Sequence, residues 1–102
     1  MAQQVEIYGE DYETVAASQT AQVLGTTGTA GDLLKRLVIS PATTGPGLVT
    51  IIDGATSIVI MVTGGTTTLA PINVELGMKS RNGPWSITTG ANLTVIAIGK
   101  FT

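Results

Sequence analysis

The chain has neither cysteine nor histidine. These two absences exclude disulfide frameworks, thiol nucleophiles, zinc centres of the Cys/His type and histidine-based proton transfer. Charge is scarce too, with five basic and seven acidic residues among 102 and a net charge of −2. Five bases cannot build the phosphate-neutralising surface of a nucleic-acid binder, so no nucleic acid is expected as a partner. No apolar run approaches the roughly 18 residues of a membrane span. The first 25 residues lack the basic and apolar regions of a secretory signal, so the expectation is a soluble chain made in a cytoplasm, with no membrane partner.

What the chain does have is glycine (13 residues) and threonine, within a mean hydropathy of +0.38. Its acids are unevenly placed: Glu6, Glu10, Asp11 and Glu13 give the first 13 residues a charge of −4, and the remainder is slightly positive. Residues 1–19 are read as an acidic N-terminal arm and residues 20–102 as one β-sandwich domain. Val5, Ile7, Tyr8, Tyr12 and Val15 are the arm's apolar anchors. Tyr8 and Tyr12 are the candidate contacts with another subunit, since a terminal segment gains burial when a partner supplies the second surface.

From Thr20 onward, short runs rich in β-branched residues alternate with clusters of Gly, Thr, Pro and Asn, the pattern of strands and turns. Seven strands are predicted, at residues 21–24, 33–40, 48–52, 57–63, 72–79, 85–88 and 93–98. Strict alternation in the second puts Leu33, Lys35, Leu37 and Ile39 on one face and Leu34, Arg36 and Val38 on the other. Asp53-Gly54 and Asn82-Gly83 tolerate positive φ and predict two hairpins. In the strand at 72–79, Ile72, Val74, Leu76 and Met78 alternate with polar residues, as in a half-buried strand. The last strand is apolar on both faces and is therefore expected at the centre of a sheet. Helical spacing is nowhere sustained, the least unfavourable place for a short helix being residues 10–18. Strands at such spacing predict an all-β fold, an antiparallel β-sandwich of jelly-roll type.

Chemistry finds little to stand on. The body's only acids are Asp32, Asp53 and Glu75; Asp53 sits before a turn glycine and Glu75 on a polar strand face, so no catalytic carboxylate pair is assigned. The threonine hydroxyls lack a base to activate them. The glycine-rich segment 25–31 lacks the Lys-Ser/Thr ending of a phosphate loop, and Glu10, Asp11 and Glu13 lack the spacing of a calcium loop. No catalytic, cofactor or metal residue is therefore expected. Trp85, in phase with Ile87, is read as a core or subunit-interface residue, and the alternative is a platform for a sugar ring.

Gln22-Val23-Leu24-Gly25, Gly31-Asp32-Leu33-Leu34, Leu76-Gly77-Met78-Lys79-Ser80, Gly83-Pro84-Trp85, Thr88-Thr89-Gly90-Ala91-Asn92 and the closing residues 97–102 make the body similar to short β-rich head proteins of tailed bacteriophages, of the decoration or cement type. The resemblance implies a non-enzymatic virion structural protein on the capsid surface. It would assemble as a homotrimer and clamp subunits of the major capsid protein, with Tyr8, Tyr12 and Trp85 as candidate subunit or capsid contacts. The rival expectation is a carbohydrate- or receptor-binding sandwich from a phage fibre or tail.

Overall fold

The computed structural model describes residues 11–102; Tyr8 and the rest of segment 1–10 lie outside the described residues. Eight strands form: β1 (Asp11–Val15), β2 (Gln22–Val23), β3 (Leu33–Pro41), β4 (Val49–Asp53), β5 (Thr56–Met61), β6 (Ile72–Lys79), β7 (Trp85–Thr89) and β8 (Leu93–Lys100). They build two antiparallel sheets of four, in the orders β1-β8-β3-β6 and β2-β7-β4-β5. Among the described residues no helix forms.

The pairing is nested. β4 pairs β5, β3 pairs β6, β2 pairs β7 and β1 pairs β8, as in a long ribbon folded at the β4–β5 turn. Pairs β3·β8 and β4·β7 then join the wrapped ribbon into two layers. Asp53-Gly54 makes the predicted hairpin, with Gly54 at φ +61°. Asn82-Gly83 does not: β6 and β7 lie in different sheets, and this turn carries the chain across the sandwich. A two-residue turn signal specifies a reversal of direction, and which strand lies alongside is decided by the layers.

Alternation places the core between the sheets. Val15, Leu34, Leu37, Ile39, Leu93, Val95 and Ala97 of the first sheet meet Val49, Ile51, Trp85 and Ile87 of the second, with Leu24 just beyond β2. Each Val, Leu or Ile among them contributes about 1.5–3 kcal/mol on leaving water, and Ala97 less. The predicted half-buried strand is β6, whose Ile72, Val74, Leu76 and Met78 pack against the core. The doubly apolar strand is β8, central between β1 and β3.

Two further expectations are corrected. Leu34 and Leu37 are both buried, which strict alternation forbids. Leu34 and Arg36 oppose Gly99 and Ile98, which are consecutive, so Lys35 is an extra residue against β8. β6 answers with two residues, Leu76 and Gly77, opposite Lys35, and Gly77 takes the left-handed φ of +62° that this bulge requires. The bulge resets the phase of β3 so that apolar groups three apart face the same core. The second correction is at the N-terminus. Residues 11–15 form an edge strand, although residues 10–18 were the least unfavourable place for a short helix, and Val15 is fully buried. Residues 11–15 of the acidic segment are thus part of the sandwich.

Candidate functional site

Three of the acids weighed for chemistry, Glu13, Asp32 and Asp53, are internal staples in the fold. Glu13 points between the layers, where one carboxylate oxygen accepts from Gln22 Nε2 at 2.8 Å and the other from the Gly25 N–H at 2.7 Å. It thereby ties β1 to the opposite sheet. Asp32, buried just before β3, accepts from the Thr102 N–H at 3.1 Å, the Thr102 hydroxyl at 2.9 Å and the Thr29 N–H at 3.2 Å. Asp53, buried at the end of β4, accepts from the Arg81 N–H at 2.9 Å and the Asn82 N–H at 3.0 Å. Burial works against its ionisation. The N–H groups of Asn82, Arg81 and Gly83, with the Arg81 charge, outweigh that penalty and hold the carboxyl below its ordinary value.

The glycine-rich segment is likewise occupied by the chain itself. The N–H groups of Thr26, Thr27 and Gly28 converge on the Thr102 main-chain oxygen at 2.9, 3.1 and 3.2 Å, a nest of the kind that binds anions. Thr89, on β7, donates its hydroxyl to the Ala16 carbonyl at 2.6 Å and accepts the Gln19 N–H at 3.0 Å, so it too serves the fold. Among the described residues no three His, Cys, Asp or Glu gather as metal ligands.

The aromatic and large apolar side chains divide between core and surface. Trp85 is 2% exposed and donates Nε1–H to the Asp32 carbonyl at 3.0 Å, so its ring is a core element with no surface to offer a subunit, a capsid or a sugar. Tyr12 stands on the outer face of the first sheet, 72% exposed. Register places it beside Ile98, and Ile98 beside Arg36; the next row runs Thr14, Ile96, Val38, Asn73. Ile96, Ile98 and Val38 are half-buried, so Tyr12 borders an apolar strip flanked by the Arg36–Glu75 ion pair at 3.6 Å.

A second surface escaped the sequence reading. β5 is an edge strand, with Ile58 37% and Val59 60% exposed and Val62 beyond it 63% exposed. The signal that marks it is a lack: no charged residue occurs between Asp53 and Glu75. No protein-family model matches the chain, and no curated protein matches it.

Proposed function

We propose that this chain is a virion structural protein, a decoration or cement protein that binds major capsid subunits on the outside of a tailed-phage head and acts without catalysis. The observation that carries this reading is the division of labour among side chains. Glu13, Asp32 and Asp53 are spent on backbone N–H groups, while Tyr12, Val59 and Val62 hold large, mainly apolar side chains out to solvent. Such a molecule is equipped for contact by shape and apolar area. The nested pairing about β4–β5 supports a jelly roll, the eight-stranded double-sheet wrap that the resemblance implies. Tyr12 and the Ile96–Ile98 strip are its proposed capsid-facing groups, and self-association, as the homotrimer of the resemblance, completes the assignment. The sugar-binding alternative loses its aromatic platform because Trp85 is buried.

The test adds purified protein to capsids that lack it and images them by electron microscopy. Density at symmetry-related capsid sites is the expected result, with occupancy reduced by Tyr12→Asp. Bare capsids together with specific binding on a glycan array would instead establish the alternative.

A further inference from the structure

Four strands lie at sheet edges among the described residues: β1 and β6 in the first sheet, β2 and β5 in the second. An edge presents a row of unpaired N–H and C=O groups that will pair with any strand offered, so soluble proteins guard their edges with charge, proline, bulges or shortness. Three of these edges are guarded. β1 carries Asp11 and Glu13, β2 is two residues long, and β6 follows Pro71, carries Glu75 and Lys79 and is bent by the bulge at Gly77. β5 has neither charge nor proline. Its one irregularity is Ile60, the extra residue between Val59, opposite Thr50, and Met61, opposite Val49; residues 56–59 pair regularly with β4.

We infer that β5 is a self-association edge, pairing antiparallel with the β5 of a second copy to join two sheets into one. The exposed main chain demands a strand as its partner. Charge selects which strand. Pairing with β1 or β6 of another copy would bring carboxylates or Lys79 against Ile58 and Val59, whereas a second β5 brings only Thr, Ser, Ile, Val and Met. An uncharged strand is complementary to itself, which a two-fold contact requires. In a pleated pair, opposite residues share a face, so a dyad at Ile58 sets Ile58 against its own copy on the inner side and Ser57 against Val59 on the outer side. This contact gives an even-numbered assembly and is independent of any three-fold contact in the proposed function.

The test is sedimentation of the full chain over a concentration series, with Val59→Lys and, as a second variant, Ser57→Lys. Both positions are exposed, and circular dichroism reports whether each variant is folded. The wild type is expected as a dimer, or as pairs of a larger unit, insensitive to salt. Either substitution is expected to weaken that association on the order of a hundredfold, because it sets two like charges diagonally across the dyad on one face of the uncharged seam. Added salt should restore part of it by screening. A chain that is still monomeric at about 1 mM, the weak end of specific association, overturns the inference. So does an oligomer, a trimer included, whose mass neither variant changes; that result leaves the capsid assignment standing.

Discussion

The two sheets have the same number of strands and contribute to the same core, yet they treat charge in opposite ways. The first carries Asp11, Glu13, Lys35, Arg36, Glu75, Lys79 and Lys100 on its strands; the second carries Asp53 alone, and that one is buried. Charge on the first sheet settles its outer face in water and guards both its edges. The second depends on threonine and serine for its outer face and has one guarded edge, the two-residue β2. A sandwich can therefore be charged on one side and nearly uncharged on the other with no change in its core, because the outward-facing half of each alternating strand is free to vary independently of the inward half.

The largest expected effect breaks this symmetry at the core. The second sheet fills its share with Trp85 and three aliphatic side chains, Val49, Ile51 and Ile87, whereas the first spreads its share over seven aliphatic side chains. Trp85→Ala should cost about 3–5 kcal/mol in chemical denaturation, since it opens a cavity and leaves the Asp32 carbonyl with the Ser80 N–H as its one remaining donor among the described residues. Leu37→Ala, the matching deletion in the first sheet, should cost about 2–5 kcal/mol. If Trp85→Ala proves milder than Leu37→Ala, the second sheet does not lean on its aromatic.

Asp53 comes next and carries a pH signature. Replacing it by Asn should cost about 1–3 kcal/mol at neutral pH, because the N–H groups of Arg81 and Asn82 then lose a charged acceptor. The folded carboxyl titrates below its ordinary value of 3.8, so the unfolded chain takes up its proton first as pH falls. The stabilisation is complete above about pH 5 and is lost as pH drops through 3.8 toward the lower folded value. Denaturation midpoints of wild type and Asp53→Asn should therefore converge on acidification. A gap that stays constant down to pH 3 would show that the N–H groups do not favour the ionised form.

Most of this architecture was legible in the residues, and the failures share a cause. The seven strands of the body could be read from β-branched runs and turn residues, and the centrality of β8 from Ile96 and Ile98 opposing Val95 and Ala97. What could not be read depended on neighbours in space. Lys35 looks like one more alternating residue until β8 and β6 set the count on either side of it. Asn82-Gly83 signals a turn without saying whether the returning strand pairs or crosses. Residues 11–15 hold two acids and a tyrosine, and they form a strand because Val15 reaches the core and Glu13 finds the Gly25 N–H across the layers. The edge at β5 was missed for a different reason, since it is marked by residues that are not there.

The remaining effects lie on the guarded sheet, where two carboxylates separate structure from solvation and Glu75 gives the smallest. Glu13 spends both oxygens between the layers, so Glu13→Gln should cost about 1–3 kcal/mol through the loss of charge-assisted bonds to Gln22 and Gly25. Glu75 meets Arg36 at 3.6 Å with most of its side chain in water, and Glu75→Gln should change stability by no more than about 0.5 kcal/mol. Its consequence lies in association. Combining Glu75→Gln with Lys79→Gln removes the charges of β6 and leaves Pro71 and the Gly77 bulge as its only guards. If charge is what separates the two sheets, that double variant should retain the wild-type melting temperature and sediment as a larger species than the parent at the same concentration. If its mass is unchanged, the bulge and the proline suffice to close β6, and what distinguishes β5 is that its run from Thr56 to Val59 pairs without interruption.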